Sequence, residues 1–184
     1  MKILILLIIA FQGLVQPKIG SVQLTKLDGK PGYIESNKKL NATVLYFLSP
    51  ECPLCQSYSI NIKSLAAKYQ NKGFRFIAIV PGTDFNANEI LFFRIKYKLQ
   101  NIPFYFDPKL ELVHMLKANI TPEVFVLDKN ENLLYSGRID NWAYELSRKR
   151  KVITEHDLEN VLAAIAGNKK ITYRKTKAVG CFIE

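Results

Sequence analysis

Cysteine is scarce here, with three in 184 residues. That is too few for a disulfide-stapled miniprotein and too few for a self-contained four-ligand zinc ribbon. Histidine is scarcer still, at two, and neither stands in a ligand-like spacing with the cysteines. No stretch is rich enough in Pro, Gly or Ser to serve as a linker, and no segment repeats, so the chain reads as one domain. Acidic residues are in deficit: 16 Asp+Glu against 26 Lys+Arg leave a net charge of +10. Such an excess invites an anionic partner. The charge is spread along the chain, however, with local densities at Arg148-Lys149-Arg150-Lys151 and over 169–177. No zinc-finger, RRM or homeodomain signature accompanies it, so no nucleic-acid partner is expected and a solvated basic surface is. With 48% hydrophobic and 23% charged residues, the chain can bury an ordinary globular core.

Long apolar runs are missing too, with one exception. After Met1-Lys2, Ile3 to Phe11 is apolar and the run continues with breaks to Val15. It is short for a bilayer span of roughly 20 residues, and its charge-then-apolar order is that of a secretory signal. Ala10, Gly13 and Gly20 make no clean cleavage pattern. Residues 1–20 are therefore read as a signal peptide or a retained N-terminal anchor, and residues 21–184 as the domain with a C-terminal tail. Export implies an oxidising, periplasmic or otherwise extracytoplasmic compartment, with membrane contact only if the segment is retained.

The remaining pattern alternates strands and helices. Residues 21–30 read as a short edge strand or hairpin ending in the Asp28-Gly29 turn. Ala42 to Ser49 is a β-branched and aromatic run, as in a strand buried on both faces. From Pro53 to about Asn71, Leu54, Tyr58, Ile62, Leu65, Ala66 and Tyr69 fall on one helical face, and Gly73 closes that helix. Phe74–Val80 is a strand, 87–99 a helix, 104–107 a strand and 109–118 a short helix. Strands at 124–128 and 133–139 flank the turn Lys129–Asn132. A last helix starts at Thr154 with a relative of the capping box, buries Leu158, Val161, Leu162 and Ile165, and stops at Gly167. This order predicts an α/β fold with a central mixed, mostly parallel β-sheet and helices on both faces.

The chemistry concentrates at Cys52-Pro53-Leu54-Cys55, where a buried strand stops and a helix begins. Cys52 takes the N-cap position, Pro53 the first helical position and Cys55 lies one turn in. A thiolate at Cys52 would face the free N–H groups and positive end of the helix, which lowers its pKa and makes it the exposed nucleophile. Cys55, buried, is placed to resolve a mixed disulfide. An inert disulfide, or a pair of ligands for copper or zinc, are the competing readings of the same spacing.

The segment Phe47-Leu-Ser-Pro-Glu-Cys-Pro-Leu-Cys-Gln-Ser-Tyr58, followed by Thr121-Pro122-Glu-Val-Phe-Val-Leu-Asp128, resembles the thioredoxin-like redoxins of the AhpC/TSA grouping. The resemblance covers about residues 22–184. Gly137-Arg-Ile-Asp140 and the tail ending Val-Gly-Cys181-Phe-Ile are similar to an exported bacterial subgroup. It implies a thioredoxin-like fold and an exported thiol–disulfide oxidoreductase that exchanges disulfides with protein partners and an upstream thiol reductant or oxidant. Cys52 and Cys55 would be catalytic, no metal or diffusible cofactor would be needed, and Thr121 with a cis Pro122 would align a substrate strand. Two alternatives share the fold. A thiol peroxidase would need P-x-x-x-T-x-x-C, but Leu45 stands for the Pro and Ser49 for the Thr, and Thr121-Pro122 replaces the expected arginine. A copper metallochaperone of the Sco type would use CxxxC and a late histidine. Glu51 stands where thioredoxin has an aromatic residue, and would oppose the helix effect only if it pointed inward.

Cys181 is the odd cysteine. It lies about fourteen residues beyond the last helix, within the roughly 45 Å reach of such a tail. A free thiol, an additional redox thiol beside the CxxC and an intermolecular disulfide all remain open, and the resemblance favours the second. Tyr58 reads as core, His114 and His156 as surface residues, Arg138 with Asp140 as an edge ion pair, and Trp142 and Tyr144 as exposed loop aromatics.

Overall fold

The computed structural model describes residues 18–184. The candidate signal segment therefore lies outside the described residues, apart from Lys18–Gly20. The chain runs β1 (Leu24–Lys26), β2 (Pro31–Gly32), β3 (Ala42–Phe47), α1 (Pro53–Tyr69), β4 (Phe74–Pro81), α2 (Ala87–Lys96), β5 (Phe104–Asp107), α3 (Glu111–Leu116), β6 (Ile120–Thr121), β7 (Glu123–Asp128), β8 (Leu133–Gly137), β9 (Ala143–Glu145), β10 (Arg148–Lys149), α4 (Asp157–Ala166), β11 (Arg174–Lys175) and β12 (Cys181–Phe182). Eight strands form one sheet in the order β11-β8-β7-β3-β4-β5-β1-β2.

All six residues of β3 are buried, as its unbroken apolar run predicts. Its side chains alternate between two cores. Val44 and Tyr46 join α1, α2 and α4 through Ile62, Phe93 and Leu162. Leu45 and Phe47 join Leu112 and Val113 of α3, with Ile19, Val22 and Ile34 of the N-terminal segment. Helices cover both faces, and the fold is thioredoxin-like.

The weighting of the sheet differs from the expected mostly parallel one. Among the described residues β3–β4, β4–β5 and β8–β11 are parallel, whereas β3–β7, β7–β8, β1–β5 and β1–β2 are antiparallel. The reason lies between β5 and β7. A parallel return needs a crossover long enough to recross the sheet, but α3 has six residues, about 9 Å of helix. It is shorter than its apolar pattern predicts because Asp107 accepts hydrogen bonds from Leu112 N (3.0 Å) and Val113 N (2.9 Å) and fixes its start. Leu110 and Lys117, at φ 56° and 57°, bound it. The chain thus stays at one end of the sheet, and β7 enters beside the end of β3, with Glu123 opposite Phe47.

α4 also starts later than its sequence cue. Thr154 does not cap it; its N–H and hydroxyl bind the Asn141 side chain at 3.1 and 2.7 Å. Buried Asp157 opens the helix and pairs with Arg138 (2.7 Å) and Arg174 (2.6 Å). Beyond α4 the tail is folded onto the domain: β11 extends the sheet edge and β12 pairs antiparallel with β6.

Candidate active site

The β3 C-terminus leads through Leu48–Glu51 to Cys52, the N-cap of α1, with Pro53 in the first helical turn. The loop is tied down by Cys52 N donating to Ser49 O (3.2 Å) and Gln56 Nε2 donating to Pro50 O (2.8 Å). Because β7 starts beside the end of β3, the Thr121-Pro122 peptide, which is cis, faces this loop. The Cys52 thiol lies 3.1 Å from Thr121 O, and Ser49 N–H donates to Cys55 Sγ at 3.4 Å. Thr121 and Pro122 are both buried.

Cys181 completes the group. In β12 it stands opposite Thr121, with Phe182 opposite Ile120. None of the three thiols is bridged, and Cys55 and Cys181 both neighbour Cys52. The Cys52 pKa falls from its ordinary 9.0 to about 5, chiefly through a hydrogen bond from the Cys55 thiol. The Cys181 thiol and the backbone N–H groups of Cys55 and Cys181 add to this against the opposing cost of burial. Burial pushes Cys55 well above 9.0, helped by its hydrogen bond to Cys52 and the charge there. The same causes push Cys181 up to about 12. Cys52 is thus the thiol shifted down, and Cys55 and Cys181 are the thiols shifted up.

Two details depart from expectation. Cys52 is buried (2% exposed) rather than exposed, like Cys55, because the tail strand sits on the Thr121 edge next to it. The Cys55 thiol lowers the Cys52 pKa, a contribution the sequence did not announce, and the N–H of Cys55 in the first turn of α1 lowers it as the helix start implies. Glu51 is exposed. It lines a groove of about 430 Å³ with Pro50, Phe85, Phe92, Lys96 and Tyr97.

Residues 15–162 match the Redoxin family. The chain belongs to the redoxin family. The matched span of this redoxin holds Cys52, Cys55, Thr121 and Pro122. A thioredoxin-like protein of Haemophilus influenzae is 26% identical over 135 residues, which is 72% of this chain and 76% of that one. A hypothetical protein of Sinorhizobium meliloti 1021 superposes with a TM-score of 0.76 at 20% identity, over 90% of this chain and 91% of the other. MTB dsbF, solved in mixed oxidised and reduced forms, gives 0.59 at 17% identity, over 82% and 97%. These likenesses agree with the thioredoxin-like fold.

The other singled-out residues scatter. Tyr58 is core, and its hydroxyl donates to Asp140 Oδ1 (2.8 Å). Asp140 does not pair with Arg138; it is buried, and it also accepts from Asn61 Nδ2 (3.1 Å) and Trp142 N (2.9 Å). Arg138 instead bridges Asp157 and Glu155. Trp142 is half-buried rather than exposed, edge-on to Tyr58 with ring centroids 5.3 Å apart. Tyr144, His114 and His156 are exposed. No periodic signal marked the ladder of Cys181 with Thr121, because a two-residue strand has no period to read; Gly180 before Cys181 was the available cue. Among the described residues no three His, Cys, Asp or Glu side chains gather in a metal-holding group.

Proposed function

We propose that this redoxin is a thiol–disulfide oxidoreductase acting on disulfides or dithiols of protein partners. The observation that carries the reading is the placement of Cys52 at the N-cap of α1, with Cys55 one turn in and the cis Thr121-Pro122 peptide against it, Thr121 O lying 3.1 Å from Cys52 Sγ. The downward shift of Cys52 and the upward shift of Cys55 agree with it. Cys52 Sγ as thiolate attacks a partner disulfide, one Cys52–partner bond forms, and the displaced partner sulfur takes up a proton. Cys55 then loses its proton and attacks Cys52 Sγ, closing Cys52–Cys55 and releasing the partner's second thiol. The partner gains the two electrons that the pair loses. An upstream thiol reductant restores the dithiol, or an oxidant drives the cycle in reverse. No diffusible cofactor enters these steps.

Thr121 and Pro122 provide the backbone edge on which a partner segment aligns against Cys52. The apolar leader supports export, and with it an extracytoplasmic site of action. No helix among the described residues is long and apolar enough to cross a membrane.

The test is reduction of insulin by dithiothreitol, with and without the protein. Acceleration that is lost in Cys52→Ser, together with a mixed disulfide trapped on Cys52 in Cys55→Ser, is the expected result. Activity that survives Cys52→Ser would refute the assignment. The reduction potential of the pair, measured with and without stoichiometric copper, separates this reading from a copper metallochaperone, which would hold its thiols in metal rather than cycle them.

A further inference from the structure

The edge assigned above to a partner polypeptide is already filled by the chain itself. β12 pairs with the strand that ends at Thr121, and Ile183 N–H donates to Asn119 O at 3.0 Å. The fit is close. A Cβ on Gly180 would lie 2.1 Å from Thr121 O and 2.6 Å from its carbonyl carbon, so only glycine lets the strand approach.

The attachment is local. Thr176 is fixed by Ser136 O (3.0 Å), by the Tyr135 hydroxyl (2.6 Å) and by Arg138 N (3.1 Å). From Lys177 onward the chain is held by the two-residue β12 ladder, the Ile183 hydrogen bond and packing of Val179, Cys181 and Ile183. Of the three cysteines, Cys181 alone is only half-buried; Cys52 and Cys55 are 2% and 0% exposed. Phe182 beside it is largely exposed. An outside thiol or disulfide therefore meets Cys181 first.

We propose that the C-terminal strand is a resident partner strand and that Cys181 is a third redox thiol, which exchanges disulfides with Cys52 and carries electron pairs between the covered Cys52–Cys55 pair and thiols outside. The proposal rests on the oxidoreductase reading of that pair. Starting from the oxidised pair, Cys181 loses its proton and attacks Cys52 Sγ. The Cys52–Cys55 bond breaks, Cys55 takes up a proton, and a Cys52–Cys181 disulfide forms with no net change in electrons. The thiolate of an outside dithiol then attacks the more accessible Cys181 Sγ, and Cys52 departs. A thiolate held at low pKa is a good leaving group, which favours this direction of attack. The partner's second thiol displaces Cys181, which leaves as a thiol. The partner has become a disulfide, and the protein holds its two electrons. The same steps in reverse reduce a partner disulfide.

The full-length Cys55→Ser variant, treated with stoichiometric oxidised glutathione, acid-quenched and peptide-mapped, tests the first half without any protein partner. A Cys52–Cys181 cross-linked peptide as the main product, lost when Gly180→Ala is added, is expected. Glutathione on Cys52 with Cys181 free overturns the proposal. For the second half, Cys181→Ser is compared with the parent in insulin reduction, where a severalfold slower rate is expected. An equal or faster rate would make the strand a mere cover and overturn the relay. Absence of insulin reduction by the parent itself would count against the oxidoreductase reading, while the cross-link would still decide whether Cys181 pairs with Cys52.

Discussion

An anion at a buried sulfur is costly unless donors surround it, and at Cys52 the donors are other thiols and N–H groups. This makes the site self-contained, because protonation of Cys55 and Cys181 is what permits ionisation of Cys52. The reduced protein's thiolate ultraviolet absorbance should titrate near pH 5, and this step should vanish in Cys52→Ser. The same shift links to stability. The folded pKa of Cys52 is depressed, so its contribution is fully present above the ordinary 9.0 and is lost as pH falls toward about 5. Cys55 and Cys181 are shifted upward, so their contribution holds below 9.0 and is lost as pH rises, for Cys181 toward about 12. Urea unfolding of the reduced protein minus that of Cys52→Ser should give a difference that grows from pH 5 to 9. A flat difference would contradict the assigned thiolate. By contrast Tyr58 serves packing: Tyr58→Phe removes the donor to Asp140 and should cost about 1–2 kcal/mol, while alkylation of Cys52 stays unchanged.

Elements differ in how far their own residues announce them. α1 was legible in its start at Pro53 and in its face, every apolar position of which is buried. It ends at Tyr69 rather than about Asn71, and Gly73 instead closes the 3-10 turn that follows. β3, β4 and the β7–β8 hairpin were legible from continuous apolar runs and a polar turn. The CxxC and Thr121-Pro122 were legible because a strand–turn–helix junction and a resemblance marked them. What was not legible depends on partners far along the chain. The direction of β7 follows from the six-residue length of α3, which Asp107 sets. The start of α4 is decided by Asp157, whose carboxylate joins Arg138 after β8 to Arg174 of β11. Asp157→Asn should weaken both contacts. It should cost about 2–3 kcal/mol, at or below the low end for a buried ion pair because both guanidiniums still reach water. Chemical denaturation checks the size. Hydrogen exchange should show new opening at β11 before β3 or β4, and uniform opening would deny that this carboxylate locks the edge.

At the scale of the whole molecule, the fold brings three cysteines separated by up to 129 positions to one end of one sheet, beneath the chain's own terminus. Under the proposed function, that arrangement favours disulfide over peroxide as the oxidant. Peroxide reduction calls for a cation beside the sulfur to steady the departing oxygen. The groups that lower the Cys52 pKa are thiols and N–H groups, with no guanidinium among them. A partner's thiols can instead reach the outer sulfur, Cys181, and communicate inward. Stopped-flow mixing of the reduced protein with hydrogen peroxide should therefore show consumption no faster than that of an ordinary low-pKa thiol. Under the same conditions a protein disulfide should be reduced severalfold faster with the enzyme than with dithiothreitol alone. Rapid peroxide turnover with sulfenic acid trapped at Cys52 would reverse this conclusion and make the family's peroxidase chemistry the primary activity.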